Sequence, residues 1–271
     1  MGATAPGSTQ KAGDAAAPLP EQHDHGTGGR WPAWTAEFAA TAVLLFAMAT
    51  LFRWLADPAS PLAQAVPAGG GRVVVGGIVS GGSVGLLIAS PFGRRSGAHM
   101  NPAVSVAFWL MGALPGRDLA GYAAAQLGGS VVGVVAGRVV WGAALAKPEA
   151  GFAAVRAAEG IPAVVVFAAE AAATAVLLAA VTFVSARPGP SWRVPVVAGA
   201  AVTVLIWLTG GWAGGSFNPA RQFGPQLLSG DTRWLWVYAL APLAAAVAFG
   251  TVRARLPGAG PLPKAPPVPP R

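Results

Sequence analysis

The sequence predicts an all-α membrane protein with six transmembrane helices and two half-spanning re-entrant helices, arranged as an inverted three-helix repeat. Three observations predict it. Only 10% of the residues are charged and 54% are hydrophobic, with a mean hydropathy of +0.55, whereas soluble domains carry about 25% charged residues. The tripeptide Asn-Pro-Ala occurs twice, at Asn101-Pro102-Ala103 and Asn218-Pro219-Ala220, each time inside apolar sequence. The segments 36–47 and 169–180 agree at ten of twelve positions, and each opens a unit of three apolar runs holding one Asn-Pro-Ala.

In chain order, residues 1–30 are polar and rich in Pro, Gly and Ala, and read as a disordered tail that is neither signal peptide nor span. Crossings need about 20 apolar residues, and six are predicted near 33–54, 73–92, 118–142, 161–184, 193–211 and 234–253. The 37 glycines suit them, because small residues let membrane helices pack backbone to backbone. After each Asn-Pro-Ala a helix starts, since Asn caps a first turn and Pro fits the first helical position. The run 102–112 gives about 16 Å of helix against a bilayer core of roughly 30 Å, so it stops half way. Residues 257–271 are Pro-rich and expected to be extended. The membrane region is thus 31–256, with repeat one about 33–143 and repeat two about 161–254.

Six spans put both tails on one side. Eleven Lys and Arg then lie on the side of the termini and six on the other, which the positive-inside rule reads as cytoplasmic termini in the cell membrane. The net charge of +8 is better matched by anionic inner-leaflet lipid than by nucleic acid. Zero cysteines exclude disulfides and thiol chemistry. No cofactor or metal is implied: His23 and His25 sit in a polar tail and read as solvated.

Three spans is an odd number, so repeat two enters the membrane upside down and the half-helices meet tip to tip at the midplane, where such folds place a solute site. Each tip carries about half a positive charge, and Asn101 and Asn218 are expected to point their side-chain amides into the lumen. A water or polyol oxygen accepts from both, while a cation or hydronium is repelled. The irregular backbone at Gly97, Ala98 and His99 and at Gly214 and Ser216 is expected to present carbonyls to the lumen, since such backbone is tolerated at membrane depth only along a cavity. Arg221, deep in apolar sequence, marks a conduction path by default.

Paired Asn-Pro-Ala motifs, the second followed by Arg221, together with Ala36-Glu37-Phe38 in span one, resemble the aquaporin or major intrinsic protein family over residues 33–254. The resemblance implies an hourglass pore in each subunit and a homotetramer. It implies that Glu37 and Glu170 brace the re-entrant loops by accepting their N–H groups; a proton relay would need a partner His or Lys. It also implies a selectivity filter whose members, by an ungapped count from each Asn, are Gly81, Ile206, Gly215 and Arg221. That small-lined filter is similar to nodulin-like and bacterial channels passing metalloid hydroxides, such as boric or arsenous acid, and glycerol-sized solutes. A water-selective aquaporin is the first alternative. A secondary transporter would need coupling-ion ligands, and the only acids in the spans are the two bracing candidates. A structural junction protein would show a blocked filter, and an enzyme would need a nucleophile–base pair or metal cluster. Arg138, late in span three, is expected to snorkel outward, and Trp31, Trp34, Trp192, Trp234 and Trp236 to form interfacial belts.

Overall fold

The computed structural model describes Gly2, residues 31–256 and Leu262; the expectations for both tails, His23 and His25 included, fall outside the described residues. Among the described residues eleven α-helices follow in order: α1 (Trp31–Ala56), α2 (Pro61–Ala65), α3 (Gly70–Ala89), α4 (Pro91–Ser96), α5 (Pro102–Leu110), α6 (Gly116–Trp141), α7 (Ala143–Ala146), α8 (Ala163–Ser185), α9 (Arg193–Thr209), α10 (Pro219–Ser229) and α11 (Leu235–Arg255). Five of them, α1, α3, α6, α8 and α11, are long and apolar enough to cross a membrane. The predicted fifth span is the shorter α9, with 17 residues, about 25 Å at 1.5 Å per residue and at the low end of what a hydrocarbon core needs. It stops before residue 211 because the chain turns there, Ala213 N donating to Thr209 O at 2.8 Å.

The half-helices are α5 and α10. The run expected at 102–112 ends at Leu110. Ala113 and Leu114 donate their N–H groups back to Phe108 O, and Gly112 takes a φ of 75° that glycine adopts without a Cβ penalty. Pro115 then opens α6, where its fixed φ suits a helix start.

Packing follows the repeat. Helix α1 lies on α6 and α8 lies on α11, while α3 and α9 pair with each other. The half-helices are exchanged: α5 packs on α11 and α10 on α6, so each repeat is completed by the other. The α3–α9 contact is backbone to backbone: a Cβ on Gly81 would stand 2.2 Å from both Gly199 O and Thr203 Oγ1. Such close approach is the usual membrane-helix contact in the absence of a hydrophobic drive between helices. It also corrects the filter expectation, because Gly81 is buried in this seam rather than open to a lumen.

The outer surface is apolar. Leu86, Val139 and Val164 are 74%, 78% and 72% exposed, which suits hydrocarbon and not water; the chain is a multi-pass membrane protein. Trp31, Trp192 and Trp236 are exposed at helix ends, as is Arg138 in the last turn of α6. Beyond α1, Asp57 accepts from Ala59 N at 3.1 Å, from Lys147 Nζ at 3.2 Å and from Arg53 Nη1 at 3.3 Å. The Ala59 N–H, then the ammonium and the guanidinium, hold its carboxyl below the usual range. This ties the start of the α1–α2 loop to the segment after α7.

Candidate functional site

Two re-entrant loops are built to one plan, with residues spaced identically from each Asn. The fourth, third and first residues before it have positive φ: Gly97 (87°), Ala98 (45°) and Met100 (49°) in repeat one, Gly214 (97°), Gly215 (65°) and Phe217 (36°) in repeat two. A left-handed non-glycine residue costs about 1–2 kcal/mol, so Ala98, Met100 and Phe217 persist only because their surroundings hold them.

The holding groups are specific. Glu37 accepts the N–H of His99 through Oε1 and of Met100 through Oε2, both at 2.8 Å, and also Gln126 Nε2 at 2.8 Å. Glu170 accepts the N–H of Ser216 at 2.9 Å and of Phe217 at 2.5 Å. Both carboxylates are buried, where an unmatched acceptor would be costly. The two tyrosines of the chain hold the outer end of each loop: Tyr122 donates to Ser96 O and Tyr238 to Ala213 O, both at 2.8 Å.

Each Asn does two jobs. Asn101 Oδ1 caps α5 by accepting from Ala103 N at 2.9 Å. Asn218 Oδ1 caps α10 by accepting from Ala220 N at 2.9 Å and Arg221 N at 3.3 Å. Their amide nitrogens cross over, Asn101 Nδ2 donating to Phe217 O at 3.0 Å and Asn218 Nδ2 to Met100 O at 2.8 Å. The two amides therefore do more than point at the lumen. One N–H of each NH2 ties the two loops together, and only the second is left to face a solute. The geometry places the helix tips against each other with their dipoles opposed.

Around the tips a polar network continues. Gln126 Nε2 also donates to Ser105 Oγ at 3.0 Å, and the His99 ring lies 3.1 Å from the same hydroxyl. Ser130 on α6 donates to Ala220 O at 2.5 Å and accepts from Gly224 N at 2.9 Å, fixing α10 to α6. Arg221 Nη1 donates to Ala153 O at 2.7 Å. Its guanidinium carbon lies 5.3 Å from the centre of the Phe52 ring, within cation–π range. The carbonyl it uses comes from a 3-10 turn, Gly151–Ala153, between α7 and α8. Gln222 pins Val155, two residues after Ala153, twice, accepting from its N–H at 3.1 Å and donating to its O at 2.9 Å.

One cavity of about 550 Å³ passes both tips and runs from the α8–α9 loop (Ser191, Trp192) to Arg221. Its wall includes Asn101, Asn218, Ile206, Gly215 and Arg221, and Gly97, Ala98, His99 and Ser216 line it as well. Two expected members are off the wall. Gly214 is packed behind Gly215, where a Cβ would stand 2.5 Å from the Tyr238 hydroxyl oxygen. Gly81 is replaced by its neighbour Ser80, which lines the cavity with Val84 and Ile88, one helical turn apart. Ser80 takes that place because the Gly81 face of α3 is packed on Gly199 and Thr203 of α9.

The residues that sequence reasoning missed are Tyr122, Gln126, Ser130, Gln222, Met48 and Phe52. Only the tyrosines carried a signal: they are the sole two in the chain, 21 and 20 residues after their respective Asn.

Comparison with known proteins agrees with this geometry. The family model described as Major intrinsic protein matches residues 27–252. Aquaporin NIP1-3 of Oryza sativa subsp. japonica is 35% identical over 181 residues, 66% of this chain and 61% of that protein. Probable aquaporin TIP2-2 of the same organism is 33% identical over 218 residues, 78% of this chain and 81% of its own length. In fold, the chain resembles the aquaglyceroporin from Plasmodium falciparum with a TM-score of 0.70 at 21% identity, covering 84% of this chain and 96% of that one. With its matched length, twin Asn-Pro-Ala tips and exchanged half-helices, the chain belongs to the major intrinsic protein family.

Proposed function

We propose that the protein is a passive transmembrane channel for water and small uncharged solutes, of the size of glycerol or of metalloid hydroxides such as boric and arsenous acid. The observation that carries the reading is the cavity that passes both Asn tips and reaches Arg221. A solute oxygen in it meets the remaining N–H groups of Asn101 and Asn218 and then a guanidinium already anchored to Ala153 O. A cation meets two positive helix ends and Arg221, and neither Glu37 nor Glu170 lines the cavity to coordinate it, because both are turned to loop N–H groups. Carbonyls of Gly97, Ala98, His99 and Ser216 serve as acceptors in series along the wall. Filter residues Ser80, Ile206, Gly215 and Arg221 leave a small-lined aperture, which favours solutes larger than water. The channel acts in the cell membrane with both termini cytoplasmic and as a homotetramer, each subunit holding its own pore.

The test is stopped-flow light scattering of proteoliposomes with water, glycerol, boric acid and arsenous acid. Uptake of all four supports the reading. Passage of water alone restricts the protein to the water-selective alternative, and passage of none overturns the channel.

A further inference from the structure

We infer that Met48, on α1, sets the size limit of the outer constriction, because its thioether fills the space that the small Ser80 leaves. Helix α1 supplied no expected filter residue, yet Met48 lines the cavity beside Ser80, Ile206 and Arg221. Ser80 Oγ donates to Met48 Sδ at 3.2 Å, so the two side chains form one wall. The level is fixed independently. Phe52, one turn further along α1, lies against the Arg221 guanidinium, and a turn of helix rises only about 5.4 Å. Met48 therefore stands within one turn of the filter arginine. Its side chain is 1% exposed and packed among buried apolar neighbours, so the backbone cannot withdraw it from the path.

Comparison of the repeats isolates what is special about it. Leu44 and Leu177 are equivalent and both line the cavity, and one turn on from them Met48 is matched by Val181, which also lines it. Valine is branched and stiff at χ1, while methionine is unbranched and adapts its shape. The outer half thus has a soft apolar wall of Met48 and Ile206 facing the donors of Arg221. The Ser80 hydroxyl spends its proton on the sulfur and keeps its oxygen lone pairs for a solute hydroxyl. That pattern fits short polyols, which carry a CH face and an OH face, and lets the aperture widen by rotamer change.

The inference rests on the reading of the cavity as a conduit. It is tested in proteoliposomes by the erythritol-to-glycerol permeability ratio, with water permeability measured alongside. Met48→Ala should raise the ratio by about tenfold, the lower end of size discrimination in a fitted apolar site. Met48→Phe should lower it while water still passes, and Met48→Leu, close in volume, should leave it near wild type. Met48→Val replaces the Ala variant should that one not fold. A damaged fold would depress all permeabilities together, so the ratio separates selectivity from packing. Should wild type pass water alone, the same variants are read by glycerol entry, which Met48→Ala must create. Unchanged ratios in folded Ala (or Val) and Phe variants overturn the assignment of Met48 while leaving the channel standing. A wild type passing neither water nor solute overturns the channel and this inference together.

Discussion

The re-entrant loop of repeat one and that of repeat two share φ signs, caps, acid and tyrosine, yet they are held differently. In repeat one the acid has three donors, because Gln126 joins the two loop N–H groups on Glu37, and Ser105 extends the network inside the bundle. In repeat two Glu170 has the two loop N–H groups, and the residues after Asn-Pro-Ala reach outward instead: Arg221 to Ala153 and Gln222 to Val155. The position after the motif is Val104 in one copy and Arg221 in the other. One half is sealed against its own bundle and the other is strapped to the loop between α7 and α8. A duplicated scaffold has diverged where one end of the path needs a charged, anchored rim.

The largest test of that contrast is to remove each acid. Glu37→Ala leaves the N–H groups of His99 and Met100 unpaired, with one N–H of Gln126, whose other stays on Ser105 Oγ, and Glu170→Ala leaves those of Ser216 and Phe217, at about 1–3 kcal/mol per group. Both variants should melt well below wild type in detergent, with Glu37→Ala lower by about one donor's worth. Equal midpoints for the two would show that Gln126 contributes nothing to the brace. Because membrane-protein unfolding is often irreversible, midpoints are compared at one scan rate.

Next in size is the α3–α9 seam. Gly81→Ala forces a Cβ to within 2.2 Å of Gly199 O and Thr203 Oγ1, and overpacking of this kind costs about 1–3 kcal/mol. Ser80→Ala removes only a weak bond to sulfur and should melt within a few tenths of a kcal/mol of wild type. Thermal unfolding by tryptophan fluorescence distinguishes the pair. A tolerated Gly81→Ala together with a damaging Ser80→Ala would restore Gly81 to the filter.

A third pair probes charge at the centre. Asn101→Asp and Asn218→Asp each put a carboxylate between the opposed helix ends, offsetting their positive potential. Each should raise cation conductance in planar bilayers by about tenfold or more, equivalent to about 1.4 kcal/mol off the barrier. Arg221→Val should also weaken cation discrimination while uptake of neutral solutes persists or rises. Cation current as low as wild type in all three would remove the electrostatic account of exclusion.

Much of this was legible in the residues. The motifs named the tips and hydropathy the spans, because each rests on local chemistry or on the period of a helix; the matched Ala-Glu segments marked the two acids, and the family resemblance supplied their bracing role. Gly81 against Ser80 was not legible: which of two adjacent helical residues faces a lumen depends on how α3 packs on α9, through contacts with Gly199 and Thr203 far away in sequence. Nor was the crossover of Asn101 to Phe217 O, a contact 116 positions apart in sequence. Met48 and Phe52 lie in an unbroken apolar run where every residue looks alike, and only the packing of α1 separates the lumen face from the lipid face.

The smallest effect asked of the comparison concerns the tyrosines, where the two repeats are most alike. Tyr122→Phe and Tyr238→Phe keep each ring in place and remove one hydroxyl donor from a buried carbonyl, that of Ser96 or Ala213. A net hydrogen bond is worth about 1 kcal/mol, and within membranes the measured mean is nearer 0.6. Each variant should therefore lose a small and nearly equal amount of stability. The Tyr122 ring, 5.3 Å from the His99 ring in an edge arrangement, keeps that contact as phenylalanine, so aromatic packing does not bias the pair. Equal shifts, with the double variant losing the sum, would identify the hydroxyls as independent and interchangeable braces of one duplicated loop. A Tyr238→Phe shift much larger than that of Tyr122→Phe would instead mean that the outer strapping through Arg221 and Gln222 depends on the Ala213 end of the loop. Symmetry in sequence would then conceal an uneven division of labour.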